Sequence, residues 1–109
     1  MPKAVSKSKA ASGTRTKTVA YDVAEQLRTP EEMAAYLDAW LEEAPEDISG
    51  ITRALGDVAR AKGMTQVARD TGLSRESLYK ALGENGNPSF ATVLRVARAL
   101  GVKFNAAPA

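Results

Sequence analysis

MTQVARDTGLSRESLYKAL, running from Met64 to Leu82, is the stretch that decides the fold. It divides at Gly72 into two short helical segments, about 64–71 and 74–83. Gly72 stands where the chain turns with positive φ, which glycine adopts at little steric cost. Ser74 is the N-cap type of residue for the second segment. Ala68 is small, as it must be if the second helix crosses close above it, and Val67, Leu78 and Leu82 recur where a core would lie beneath the pair. This spacing fits a helix-turn-helix. The front of the second helix is then polar: Ser74, Arg75, Glu76, Ser77, Tyr79 and Lys80. Such a front can enter a major groove, where Arg, Lys and Glu reach base edges.

Working outward, a longer helix is expected from about Glu46 to Lys62, with Ile48, Ile51, Leu55, Val58 and Ala59 on its buried face and Gly63 closing it. On the other side, Gly83 to Pro88 reads as a loop and Ser89 as the cap of a helix over 90–100. Phe90, Val93, Leu94, Ala97 and Leu100 form its inner stripe and Gly101 stops it. Val102-Lys103-Phe104 alternates like a short strand, and 105–109 is a frayed tail. Upstream, Thr29-Pro30-Glu31-Glu32 is a helix start with a capping box. Met33, Tyr36, Leu37, Trp40, Leu41 and Ala44 follow at helical spacing, and Pro45 ends the run. A short helix from Asp22 through Leu27 precedes it. Trp40, Tyr36 and Phe90 are expected in the core. Residues 1–18 hold too little apolar surface to order and are expected to be a disordered basic arm.

Charge is partitioned along the 109 residues, although the net charge is only +2. Residues 1–21 carry five bases and no acid; 22–47 carry nine acids and one base, Arg28; 48–109 carry nine bases and four acids. Such a chain is suited to more than one kind of partner. The absence of Cys excludes disulfides and thiolate zinc sites, and the absence of His removes the commonest general base and transition-metal ligand. No metal and no cofactor is expected. Neither a membrane-length apolar run nor a secretory leader is legible, so the expectation is a soluble, cytoplasmic protein that is not an enzyme.

Residues 50–104 resemble a phage-repressor-type (Xre/Cro-like) DNA-binding domain. A longer resemblance, over about 21–104, is to the addiction-module antidote family, antitoxins of the HigA type usually encoded beside a small RelE/HigB-like toxin. It is carried by Tyr21-Asp22, Leu27-Arg28, the run Pro30 to Leu37 (PEEMAAYL), the run Ala54 to Met64 (ALGDVARAKGM), and Gly86-Asn87-Pro88-Ser89-Phe90 with Val93-Leu94. The resemblance implies an all-α, lambda-repressor-like five-helix DNA-binding domain at 48–104. To this the reading of the residues adds an acidic helical segment at 19–47 and the short C-terminal strand.

What the resemblance implies about the site can be written residue by residue. Arg75 and Glu76 match the positions that read bases in repressors of this fold, and Lys80 lies near the same front. Gln66, Ser74, Ser77, Tyr79, Asn85 and Asn87 are the expected phosphate contacts. The family's usual Gln at the start of the first helix is Met64 here. The implied function is that of an antitoxin which neutralises a RelE/HigB-like toxin and represses its own operon as a homodimer on palindromic operator DNA. The acidic face, with Glu31, Glu32, Asp38, Glu42 and Glu43, repels phosphate and attracts a basic protein, which makes it a candidate toxin-binding surface, or else it is the solvated outer face of a helix packed on the core. Leu100, Val102 and Phe104 are candidates for the dimer contact, or else they close the core. Two alternatives stay open: a stand-alone phage-type repressor without a toxin, and a protein-interaction module that has lost DNA binding.

Overall fold

Thr29, Asp47, Ser74 and Ser89 each fix a helix start by a side-chain cap, and a computed structural model describes the outcome for residues 25–109. The basic arm expected over 1–18, and the residues up to 24, lie outside the described residues. Among the described residues Glu25 and Gln26 are helical, and five helices then follow in order: α1 Pro30–Glu43, α2 Ile48–Lys62, α3 Met64–Thr71, α4 Arg75–Ala81 and α5 Phe90–Ala99. The described residues contain no strand, so the fold is all-helical there.

α1 begins with the capping box read from Thr29 and Glu32. The Glu32 amide donates to Thr29 Oγ1 at 3.1 Å, and the Thr29 amide donates back to Glu32 Oε1 at 3.1 Å. Met33 and Leu37 are buried one turn apart, and Tyr36 and Trp40 pack against the same core while partly exposed. α2 starts at Ile48 rather than Glu46. The Asp47 carboxylate accepts from the Gly50 amide at 2.9 Å, so Asp47 is the cap and Pro45-Glu46 is the turn before it. Ile48, expected on the buried face, stands 64% exposed as a result.

α3 and α4 flank Gly72, whose φ of +80° is the left-handed conformation that glycine tolerates. Ser74 caps α4 by accepting from the Ser77 amide at 3.0 Å. The largest fully buried side chains are Leu78, Leu82, Leu100, Val58, Val67 and Val96, drawn from α2, α3, α4 and α5 and the ends of the last two. Burying each stabilises the fold by about 1.5–3 kcal/mol. At Gly56 of α2, an added Cβ would come within 2.9 Å of the Leu82 carbonyl oxygen, so α2 passes close to the end of α4.

Two expectations about the C-terminal region are corrected. Val102-Lys103-Phe104 is not a strand. The Val102 amide donates to the Ala97 carbonyl at 2.9 Å and the Gly101 amide to Arg98 at 3.0 Å, the pair of bonds that closes a helix in a Schellman motif. The amide a strand would need is used on α5, and Val102 drops into the core. Leu100 and Val102 therefore serve this chain's own core and offer no surface for a dimer contact; Phe104 is partly exposed. The second correction concerns α5. Val93, Val96, Ala97 and Leu100 face inward, whereas Phe90 is 71% exposed and Leu94 is 39% exposed. At about 100° per residue, these two sit past the edge of the buried stripe.

Candidate functional site

α4 is seven residues long, and within it only Leu78 is buried. Leu78, with Leu82 just beyond the helix, pins the helix by one side. Arg75, Glu76, Ser77, Tyr79 and Lys80 are all exposed on the rest. The guanidinium carbon of Arg75 lies 5.8 Å from the centroid of the Tyr79 ring, one turn along, so the cation rests over the aromatic face. Among the described residues the ion pairs are Arg28–Glu32 and Arg60–Asp57, and neither Arg75 nor Lys80 enters one. Ser74 is engaged as the cap, and its hydroxyl also donates to Ser77 Oγ at 2.9 Å. This chain of hydroxyls leaves the Ser77 proton free to be donated elsewhere.

Gln66 is exposed on α3, but its side chain is already occupied. Its Nε2 donates to Asp70 Oδ1 at 2.9 Å, and Arg69 donates to its Oε1 at 3.3 Å. Asn85 and Asn87 are exposed in the loop between α4 and α5, where the Gly86 amide closes a turn onto Gly83 at 3.0 Å. The expected contacts therefore fall into three places: a cluster on α4, a hydrogen-bonded residue on α3, and a pair in the following loop.

The acidic side is less uniform than its sequence. Glu31, Asp38, Glu42 and Glu43 are exposed on α1. Glu32 is not equivalent to them. Its carboxylate accepts from the amides of Arg28 and Thr29 and pairs with the Arg28 side chain at 3.7 Å. The Arg28 amide bond, with smaller help from the Arg28 charge, holds its carboxyl below the usual value.

α1 is tied to α2 by a bond that no local pattern announces. Tyr36 Oη donates to Asp57 Oδ2 at 3.1 Å across 21 residues of sequence. Both groups are partly buried. Desolvation pushes the Tyr36 hydroxyl well above its ordinary pKa of 10.0, and the neighbouring Asp57 charge adds to the rise. Burial also raises Asp57, against the opposing effects of the Tyr36 bond and the Arg60 and Arg53 charges. The Arg75–Tyr79 and Gln66–Asp70 pairs, also unforeseen, did leave a trace in the sequence: each is spaced i, i+4 on a helix.

Among the described residues no cluster of carboxylates could hold a metal ion, and no helix is long and apolar enough to cross a membrane. A family model described as "Probable addiction module antidote protein" matches residues 17–108. A protein of Haemophilus influenzae, described only as uncharacterized, is 54% identical over 84 residues, covering 77% of this chain and 84% of that protein. No solved structure matches the chain.

Proposed function

The chain belongs to the addiction-module antidote family, and from that premise we propose that it is an antitoxin that also represses its own operon. An antidote implies a toxin partner. The finer reading is that the partner is RelE/HigB-like and that the antitoxin acts in the cytoplasm, without catalysis or cofactor, as a homodimer on palindromic operator DNA. In this reading the fold is lambda-repressor-like and α3–α4 is its helix-turn-helix.

One observation carries the DNA-binding reading. α4 is held from one side by Leu78 while its polar face is exposed, with the cations Arg75 and Lys80 in no ion pair among the described residues. A helix presented in this way can lie in a major groove, with Arg75 and Glu76 at base edges and Lys80 following. Tyr79 supports Arg75 from beneath. Ser74 is spent on the cap and would have to release Ser77 to reach phosphate, whereas Ser77, Asn85 and Asn87 have donors to offer. Gln66 would first have to release Asp70.

The carboxylates Glu31, Asp38, Glu42 and Glu43 form the toxin-facing surface in this reading, because exposed negative charge attracts a basic partner. Glu32 shapes the start of α1 instead.

A mobility-shift titration on the duplex immediately upstream of the gene tests the DNA half. Affinity should fall steeply with salt, by roughly 0.9 log units per log unit of salt for each phosphate neutralised. Absence of binding at low salt would overturn it. Co-expression with the neighbouring open reading frame tests the other half, the expected result being a complex with a small basic protein.

A further inference from the structure

The outward face of α5 carries an apolar pair that the fold does not use. Phe90 is 71% exposed, more than any other large hydrophobic side chain among the described residues, and Leu94 is 39% exposed one turn later. A further turn along the same line stands Arg98, which is exposed and enters neither of the described ion pairs. The row is therefore aromatic, aliphatic, cation at i, i+4 and i+8.

We propose that this row is the contact through which two copies of the chain meet, α5 packing antiparallel on α5 about a two-fold axis at Leu94. The choice of a second copy as occupant rests on the operator reading. A seven-residue α4 spans only a few base pairs, so a palindromic site needs two. The row itself is self-complementary. A two-fold through Leu94 sets Leu94 against its own copy. It also sets Phe90 across from Arg98, both positions lying four residues, about 6 Å, from the axis. A guanidinium over a ring face is favourable, and the two-fold makes that contact twice.

The size of the contact says how it would be used. Phe90 and Leu94 of two copies together offer on the order of 400 Å² of apolar surface, far below the roughly 1,200 Å² of a stable interface. The two copies therefore associate weakly in free solution and come together when neighbouring half-sites on one duplex hold them side by side.

The absence of cysteine from the chain gives a clean test. Leu94→Cys places the only thiol on the proposed axis. Helices packed about 8–10 Å apart bring such a pair within disulfide range. Ile48→Cys is the control, being well exposed at the start of α2. Both positions lie outside the core, so folding is preserved and checked by circular dichroism. Under mild oxidation at micromolar concentration, Leu94→Cys should dimerise about tenfold faster or more than Ile48→Cys. Adding Phe90→Glu should return it to the control rate. Equal rates for the two single variants overturn the proposal. So does a Leu94→Cys thiol that a small reagent cannot reach, since the chain's own segment would then cover the row. A parallel titration on the upstream duplex separates the two ideas. There Phe90→Glu should abolish cooperativity while a single copy still binds. If the unaltered protein ignores the duplex, the operator reading fails while the oxidation rates still decide the interface.

Discussion

The front of α4 and the outer face of α1 are both dense in charge, but α1 ties part of its charge into local bonds, whereas the cations of α4 enter no ion pair among the described residues. On α4, Arg75 and Lys80 have no carboxylate partner among the described residues, and Arg75 rests on Tyr79. Along α1 and its flanks, part of the negative charge is turned inward on the chain. Glu32 closes a capping box and Asp47 caps α2, while Tyr36 of α1 donates to Asp57 on α2. Counting charges along the sequence thus overstates how many of these carboxylates are free of local bonds. The two regions also differ in anchorage. α1 is held by Met33, Leu37 and the Tyr36–Asp57 bond, whereas α4 has one buried side chain within its length.

That difference in anchorage sets the largest expected effect. Leu78→Ala should destabilise the protein by about 2–5 kcal/mol, the range for a fully buried leucine that leaves a cavity. Small domains hold only about 5–15 kcal/mol in total, so a urea titration should show a large fall in midpoint. A shift near zero would mean that α4 is not packed as described. Arg75→Ala acts on the other side of the same helix and should leave the urea midpoint almost unchanged. It should cost about 1–3 kcal/mol on the specific operator and relax base preference at one position. An equal loss on random DNA would reassign Arg75 to the phosphate backbone.

How far the sequence led depends on the range of the interaction. Thr29, Ser74, Ser89, Gly72 and Gly101 were legible, because a cap or a left-handed turn is decided within about four residues. The exposed front of α4 was legible for the same reason: Val67, Leu78 and Leu82 mark which side is buried. Periodicity failed where neighbours decide. It gave an apolar stripe on α5 but could not say that the core stops short of Phe90 and Leu94. Alternation over Val102 to Phe104 has too few residues to tell a strand from the closing turn of a helix, and the Val102 amide settles it. Tyr36 and Asp57 lie 21 residues apart on different helices, so no spacing rule joins them.

Burial of the Tyr36 hydroxyl, with the Asp57 charge beside it, gives α1 a pH signature. The Tyr36 hydroxyl is held above its ordinary value of 10.0 in the folded chain. A raised folded value means that the folded state keeps its proton when the unfolded state loses it. The stabilisation is complete below about pH 10 and is lost as pH rises beyond it. Tyr36→Phe should therefore flatten the alkaline arm of the stability curve. At neutral pH it should cost about 1 kcal/mol, since a net hydrogen bond is lost and Asp57 is left half-buried without that donor. Urea midpoints at pH 7, 9 and 10.5 check both. Equal alkaline slopes for the variant and the unaltered protein would show that the bond does not govern that arm.

The smallest effect on the fold comes from the charges that α1 leaves free. Glu42 and Glu43 are exposed and form no ion pair among the described residues. Changing both to Lys should alter stability by no more than about 0.5 kcal/mol. The same double change replaces two negative charges by two positive ones where a cationic protein is proposed to dock. Affinity for the product of the neighbouring gene should drop at low salt. The gap should narrow as the screening length falls to about 10 Å at 0.1 M and about 3 Å at 1 M. Unchanged affinity at low salt would leave these carboxylates as a solvated helix face and move the toxin contact elsewhere on the chain. A loss that persists undiminished at high salt would point to direct packing at Glu42 and Glu43, because long-range attraction is the part that salt removes.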